Sequence, residues 1–178
     1  ARSHPGKLNY GSSGVGGTTH LMGELFGLIS KVKLSHVPYK GSAESAIATV
    51  AGHIDIGFVD ITVTLPLAKS GKLRALAVTT LKRASLMPSI PTLDESGLPG
   101  YDYAGWYGLI APAGVPKDII ARLNEAIDKV VNTPEMKESL IRQGLEPRTN
   151  TPEQFAAFIR GAISKNARLV KLAGLKAE

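Results

Sequence analysis

An α/β fold is predicted for this chain, with one small parallel lobe followed by part of a second, and three observations predict it. Between Lys7 and Thr80, short apolar runs alternate with amphipathic or alanine-rich stretches, the pattern of strands connected by helices. A glycine-rich loop, Gly11-Ser12-Ser13-Gly14-Val15-Gly16-Gly17-Thr18, feeds from one such run into a helix start. Beyond Gly100 the balance changes to three apolar helix faces with a single strand-like run beside them.

The first strand is Leu8-Asn9-Tyr10. The helix after the glycine loop carries Leu21, Met22, Leu25, Phe26, Leu28 and Ile29 at three- and four-residue spacings, which make one apolar face. Leu34-Ser35-His36-Val37-Pro38-Tyr39 is the second strand, and the alanine-rich helix from Ser42 to Ala51 closes at Gly52. Ile54-Asp55-Ile56-Gly57-Phe58-Val59 is the third strand. Asp60 or Thr62 can cap the next helix, which closes at Ser70-Gly71, and the apolar run Leu73 to Val78 reads as a fourth, buried parallel strand. Residues 1–82 therefore read as one four-stranded α/β lobe.

Residues 83–100, with Pro88, Pro91 and Pro99, read as a linker crossing between domains, with one short helical turn at 92–96. Residues 101–178 hold a strand-like stretch, 101–111, and then three helices. Pro116 starts the first, whose face is Ile119, Ile120, Leu123, Ile127, Val130 and Val131; Thr133-Pro134-Glu135 and Thr151-Pro152-Glu153 start the others. One strand is too little sheet for three apolar faces. The expectation is that this is the return half of a second lobe begun upstream; the alternative is that the helices pack on one another.

The glycine loop has the geometry of an anion cradle: its backbone can approach a guest closely, and the free N–H groups and dipole of the helix start favour negative charge. Three better-known motifs fail on it. Gly11 and Gly16 have P-loop spacing, but Gly17 stands where the lysine belongs. The dinucleotide pattern fits Gly14 and Gly16 and then meets Thr19, and the nucleophile elbow fits Gly11 and Ser13 and then meets Val15. A small anion is the guest that remains, against the plain reading of a glycine-rich connector with no ligand.

Two more strand-to-helix junctions, Tyr39-Lys40-Gly41-Ser42 and Phe58-Val59-Asp60-Ile61-Thr62, face the same sheet edge, where ligands of α/β sheets collect. Ser12, Ser13, Thr18 and Ser42 offer hydroxyls, Gly17 and Gly41 offer close backbone approach, and Asp60 offers an acceptor. His20, in the first turn after the loop, can donate to an anion or be a packing residue. Asp60 and Ser42 can equally be helix caps, and Tyr39 and Trp106 can wall the cleft or sit in the core.

Composition narrows the class. With 178 residues and 43% hydrophobic content the chain can build one domain or two small ones. No run approaches a membrane span, and Ala1-Arg2-Ser3-His4-Pro5 lacks the pattern of a secretion signal. The absence of cysteine excludes disulfides and thiol chemistry, and the histidines His4, His20, His36 and His53 lack metal-ligand spacing, so no metal, cofactor or catalytic residue is expected. The net charge of +6 is spread over helical faces without interleaved aromatics, which does not make a nucleic-acid surface.

The order of motifs resembles a known family. The segment from Leu8 to Leu21, then Val37-Pro38-Tyr39-Lys40-Gly41, Gly71-Lys72-Leu73-Arg74-Ala75-Leu76-Ala77-Val78-Thr79, Pro91-Thr92-Leu93-Asp94-Glu95-Ser96-Gly97, the run from Trp106 to Pro116 and Leu172-Ala173-Gly174-Leu175 are similar to the Bug-type, TctC-like solute-binding proteins of tripartite tricarboxylate transporters. The resemblance implies a periplasmic receptor of the type II periplasmic-binding-protein fold, whose two α/β lobes close on a small mono- or dicarboxylate without catalysis. It implies membrane components of the transporter as partners. By resemblance, Ser12, Ser13, Gly17, Thr18, His20, Gly41, Ser42 and Asp60 match second-lobe loops that face the ligand. The family's opening segment, with its secretion signal and a Pro-Gly-Gly ligand loop of the first lobe, has no counterpart in these 178 residues, and self-association of the chain is expected. Two rivals stand beside this reading: the effector-sensing domain of a transcription regulator with the same fold, and a transferase acting through Ser13, for which no paired base is readable.

Overall fold

In the computed structural model, which describes residue 1 and residues 3–175, strands and helices alternate through the first part of the chain and helices alone fill the second. Strands β1 (Asn9–Ser12), β2 (Ser35–Pro38) and β3 (Ile56–Gly57) form a parallel sheet in the order β2-β1-β3. Helices α1 (Thr18–Ser30), α2 (Ser42–Val50) and α3 (Ile61–Lys69) follow them in turn.

Tyr10 and Gly11, successive residues of β1, point to opposite faces of the sheet, and each face receives a helix. On one face Tyr10 lies so close to α1 that a Cβ on Gly23 would overlap its ring. On the other, a Cβ on Gly11 would overlap Ile54 and the Ser45 hydroxyl of α2. Bare backbone at these two positions lets both helices sit tightly on the central strand.

The third strand is shorter than the expected 54–59. At its start the ladder is replaced by side chains: Asn9 N–H donates to Asp55 Oδ2 at 2.9 Å and Asp55 N–H to Asn9 Oδ1 at 2.8 Å. At its end Phe58 N–H still reaches the Gly11 carbonyl at 3.1 Å. The expected fourth strand, 73–78, is not formed among the described residues. Its side chains alternate between half-buried Leu73, Ala75 and Ala77 and exposed Arg74 and Leu76, but only Val78 finds a partner, in an isolated parallel bridge to Thr92. An apolar run becomes a strand only through a neighbour, and among the described residues this one has none along most of its length. The strand-like stretch 101–111 likewise forms no strand among the described residues: Tyr101 and Tyr103 are buried, while every residue from 104 to 111 is exposed.

Between 83 and 100 the chain turns repeatedly, and the expected helical turn at 92–96 is present as a reciprocal cap. Glu95 N–H donates to Thr92 Oγ1 at 3.0 Å and Thr92 N–H to Glu95 Oε2 at 2.9 Å. Leu98, Tyr101 and Tyr103 then join Leu21, Met22 and Leu169 in the main core.

The three expected helices are present as α4 (Lys117–Val131), α5 (Pro134–Arg142) and α6 (Pro152–Leu172). Two compact units result: Ala1–Gly105 with the described residues from Arg168 on, and Trp106–Ala167. Within the second unit no residue is buried. Trp106, Phe155 and Phe158 pack ring on ring there, and Gly108 lies where a Cβ would overlap Phe155.

Candidate functional site

Parallel strands put the C-terminal ends of β1, β2 and β3 on one sheet edge, and the expected ligand residues from Ser12 to Asp60 lie at these strand ends, in the loops that leave them and in the helix starts that follow. The glycine loop is the central one. Gly14 and Gly16 have φ of 137° and 73°, backbone angles that an L side chain resists, so here the glycines serve the turn itself. Gly17 N–H closes the turn on Gly14 O at 3.3 Å.

Helix α1 then starts at Gly17 with no side-chain cap, α2 starts at Gly41 with none, and α3 starts at Asp60 with none. Of the later helices, α4 starts at Pro116 without a side-chain cap as well, whereas α5 and α6 are closed: Thr133 Oγ1 accepts from Met136 N–H, and Thr151 and Gln154 exchange a pair of bonds. Three neighbouring helix N-termini on one sheet edge thus keep first-turn donors without a side-chain acceptor.

Asp60 stands at the N-cap position of α3, but neither its side chain nor that of Ser42 caps a helix. Ser42 is the first residue of α2 rather than its cap, it is buried, and its hydroxyl donates to Asp60 Oδ2 at 2.6 Å, tying the second loop to the third. Ser13 and Thr18 are accessible; Ser13 N–H donates to Thr19 Oγ1 at 2.8 Å and its hydroxyl lies 2.8 Å from the same oxygen. Gly17 and Gly41 are half-buried at their helix starts.

Ser12 and His20 face inward. Ser12 is 0% exposed: its Oγ lies 2.6 Å from His36 Nε2, accepts from Gly14 N–H at 3.1 Å and reaches Gly14 O at 3.2 Å. The buried His20 accepts the Gly16 N–H on Nδ1 at 2.9 Å, and its Nε2 is 3.6 Å from Glu24 Oε1. The rings of His20 and His36 stack at 3.8 Å and 8°. Burial holds the pKa of both below the ordinary histidine value, against the pull of Glu24 on His20, and brings His36 down to about 4. The Tyr10 hydroxyl donates to Glu24 Oε1 at 2.6 Å; burial first and this carboxylate second push it well above the phenol range.

Sequence reasoning missed Thr19, Glu24, Tyr10 and His36 as parts of this assembly. Tyr10 and His36 are register partners on adjacent strands, so their side chains share a face, and Ser12 shares it two residues on. Register was the missing information.

With the site laid out, its class is an α/β lobe offering uncapped helix N-termini along one sheet edge, and the serine–histidine contact in it, Ser12 with His36, lies within the loop's own support, with Ser12 buried. The chain belongs to the tripartite tricarboxylate transporter family receptors, whose family profile matches residues 1–175. It is 36% identical over 175 residues to a protein encoded in the gbd 5′ region of Cupriavidus necator, covering 98% of this chain and 53% of that protein. Among solved structures it is similar to an R. palustris protein with adipate, at 33% identity and a TM-score of 0.87, covering 98% of this chain and 58% of that one. MatC from Rhodopseudomonas palustris with bound malate follows at 30% identity and 0.74, covering 95% and 58%. The chain spans about half the length of the curated relatives it matches. No helix among the described residues is long and apolar enough to cross a membrane.

Proposed function

We propose that the protein captures a small mono- or dicarboxylate for a tripartite tricarboxylate transporter, in the periplasm and without catalysis, with membrane components of the transporter as its partners. The observation that carries the reading is the convergence of three side-chain-uncapped helix N-termini on one sheet edge. The ligand's carboxylate is held by the first-turn N–H groups of α1, α2 and α3 and by the hydroxyls of Ser13 and Thr18, with Gly17 and Gly41 allowing close approach. Ser12 and His20 support the loop from within, and Ser42 with Asp60 fixes the spacing of the other two. Adipate and malate in two relatives, and a relative described as the periplasmic binding protein BugD, support both the ligand class and the compartment. The family match favours a receptor over a transcription regulator. Residues 1–82 are proposed as the second lobe of the family fold, 83–100 as the crossing and 101–178 as the returning part of the first lobe.

Thr18→Pro tests the carrying observation with little disturbance. Proline suits the first position of a helix, and Gly17 before it already has φ −70° and ψ 167°, the extended conformation a following proline demands. The substitution deletes one N–H and the hydroxyl; Thr18→Ala deletes the hydroxyl alone. With adipate and malate as probes in calorimetry on the protein in full, Thr18→Pro should bind about tenfold more weakly than Thr18→Ala, the effect of one hydrogen bond to a charged group. Equal dissociation constants for the two variants would take the α1 N-terminus out of the site.

A further inference from the structure

We propose that His20 is the positioning residue of the glycine loop: through Nδ1 it accepts the Gly16 N–H and so holds the loop, and the donors of α1 behind it, in the shape that receives a carboxylate. The role deepens the carboxylate reading and rests on it, but the contact itself does not. A backbone N–H can only donate, so the 2.9 Å approach of Gly16 N to Nδ1 requires that nitrogen to be unprotonated. The ring proton of the neutral form is therefore on Nε2, on the side of Glu24 Oε1 at 3.6 Å.

The titratable groups around the ring come from three elements: Glu24 on α1, Tyr10 on β1 and His36 on β2. Tyr101, with Tyr103 beside it, stands next to Tyr10 and donates its hydroxyl to Met22 O at 2.7 Å. The Glu24 oxygen that faces His20 already accepts from Tyr10 at 2.6 Å. On the other side His36, stacked at 3.8 Å, holds the start of the same loop through Ser12, whose Oγ also takes the Gly14 N–H. Two stacked rings thus hang a loop of accessible backbone at Gly14 and Gly16.

Protonating His20 replaces the acceptor at Nδ1 by a donor facing a donor, and places a positive ring against His36. The Gly16 tether is then lost. Burial favours the neutral ring, with Glu24 opposing it, so the tethered loop belongs to neutral solution and the released one to acid.

The direct test needs no ligand. In the protein in full, ring nitrogen NMR at about pH 8 should show His20 as the Nε2–H tautomer, and the Gly16 amide resonance should move with the His20 titration as the solution is acidified. A protonated Nδ1 at neutral pH, or a Gly16 amide unmoved while His20 titrates, overturns the assignment. A second arm uses His20→Asn, whose side-chain oxygen can take the place of Nδ1 without titrating, and His20→Leu, which offers no acceptor. With adipate and malate as probes, His20→Asn should keep affinity to within about threefold at pH 8, and His20→Leu should lose about tenfold. Between about pH 8 and pH 5 the wild type should weaken more than His20→Asn, which reports the probes' own protonation. Equal affinities for the Leu and Asn variants overturn the positioning role. If neither probe binds at any pH, the carboxylate reading fails, and the Gly16 titration still decides the role of His20.

Discussion

Two glycines show how much of this molecule is decided by single atoms. A Cβ on Gly23 would fall within the Tyr10 ring, whereas one on Gly161, in the middle of α6, meets nothing within 4 Å. Gly23→Ala should lower the urea midpoint by the equivalent of about 1–3 kcal/mol, because the ring is buried against the sheet and cannot step aside. Gly161→Ala should leave it unchanged or raise it by up to about 1 kcal/mol through helix propensity. A Gly23→Ala protein as stable as the wild type would mean that α1 does not sit on Tyr10 as described. The histidine pair sets the pH response. Both pKa values are depressed in the folded state, so the stability they contribute is complete above the unfolded value near 6.5 and is lost as pH falls toward the folded value of His36, about 4. Urea midpoints should fall steeply across that window, and His36→Gln should flatten the fall. At this scale the sequence identified the loops along the sheet edge but not which way their side chains point. Ser12 and His20 lie on the inward face because strand register pairs Tyr10 with His36, and nothing within either strand alone announces that pairing.

Helices were legible as elements and strands only in part, for a physical reason. Every helix anticipated from apolar spacing and start signals is present within a residue or two, since its hydrogen bonds close within the segment that encodes it. A strand depends on a neighbour that the local sequence does not contain. Asn9–Ser12 and Ser35–Pro38 find theirs, Ile56–Gly57 is cut short where Asn9 and Asp55 pair through side chains, and 73–77 and 104–111 find none among the described residues. Amide exchange separates these cases. The amides of Tyr39 and Phe58, bonded to β1, should be protected, while those of 74–77 should exchange close to the rate of an open chain. Protection of 74–77 equal to that of Phe58 would show a fourth ladder strand in solution. Caps divide the helices in the same way. Thr133→Ala and Thr151→Ala should each cost about 1 kcal/mol of helix stability, because each removes an acceptor from the first turn. The starts of α1, α2, α3 and α4 have no such side-chain bond to lose.

The units differ in how completely they bury what they carry. Around α1 the first unit closes a core of Leu21, Met22, Leu98, Tyr101, Tyr103 and Leu169, whereas the unit from Trp106 to Ala167 leaves every residue at least partly in water. Tyr107 is 82% exposed and Ile110 88%, and Ile119, Leu123, Phe158 and Ile163 are exposed on α4 and α6. On the same helices Phe155 and Ile127 are half-covered, Phe155 by its packing on Trp106. At about 25 cal/mol per Å² of apolar surface, several such side chains left in water forgo several kcal/mol, a sum comparable to the ~5–15 kcal/mol by which a domain is stable. Charge does not oppose association strongly, since the net +6 is spread over 178 residues. The 178-residue polypeptide, produced by itself, should therefore self-associate through the second unit. Sedimentation at low micromolar concentration should show species heavier than the 18.8 kDa monomer. Ile110→Lys together with Ile163→Lys should shift them toward the monomer, because both side chains stand open on that unit and a charge there would have to be buried. A cooperatively folding monomer for the unsubstituted polypeptide would show that these faces are content in water, and that the three helices need no cover beyond one another.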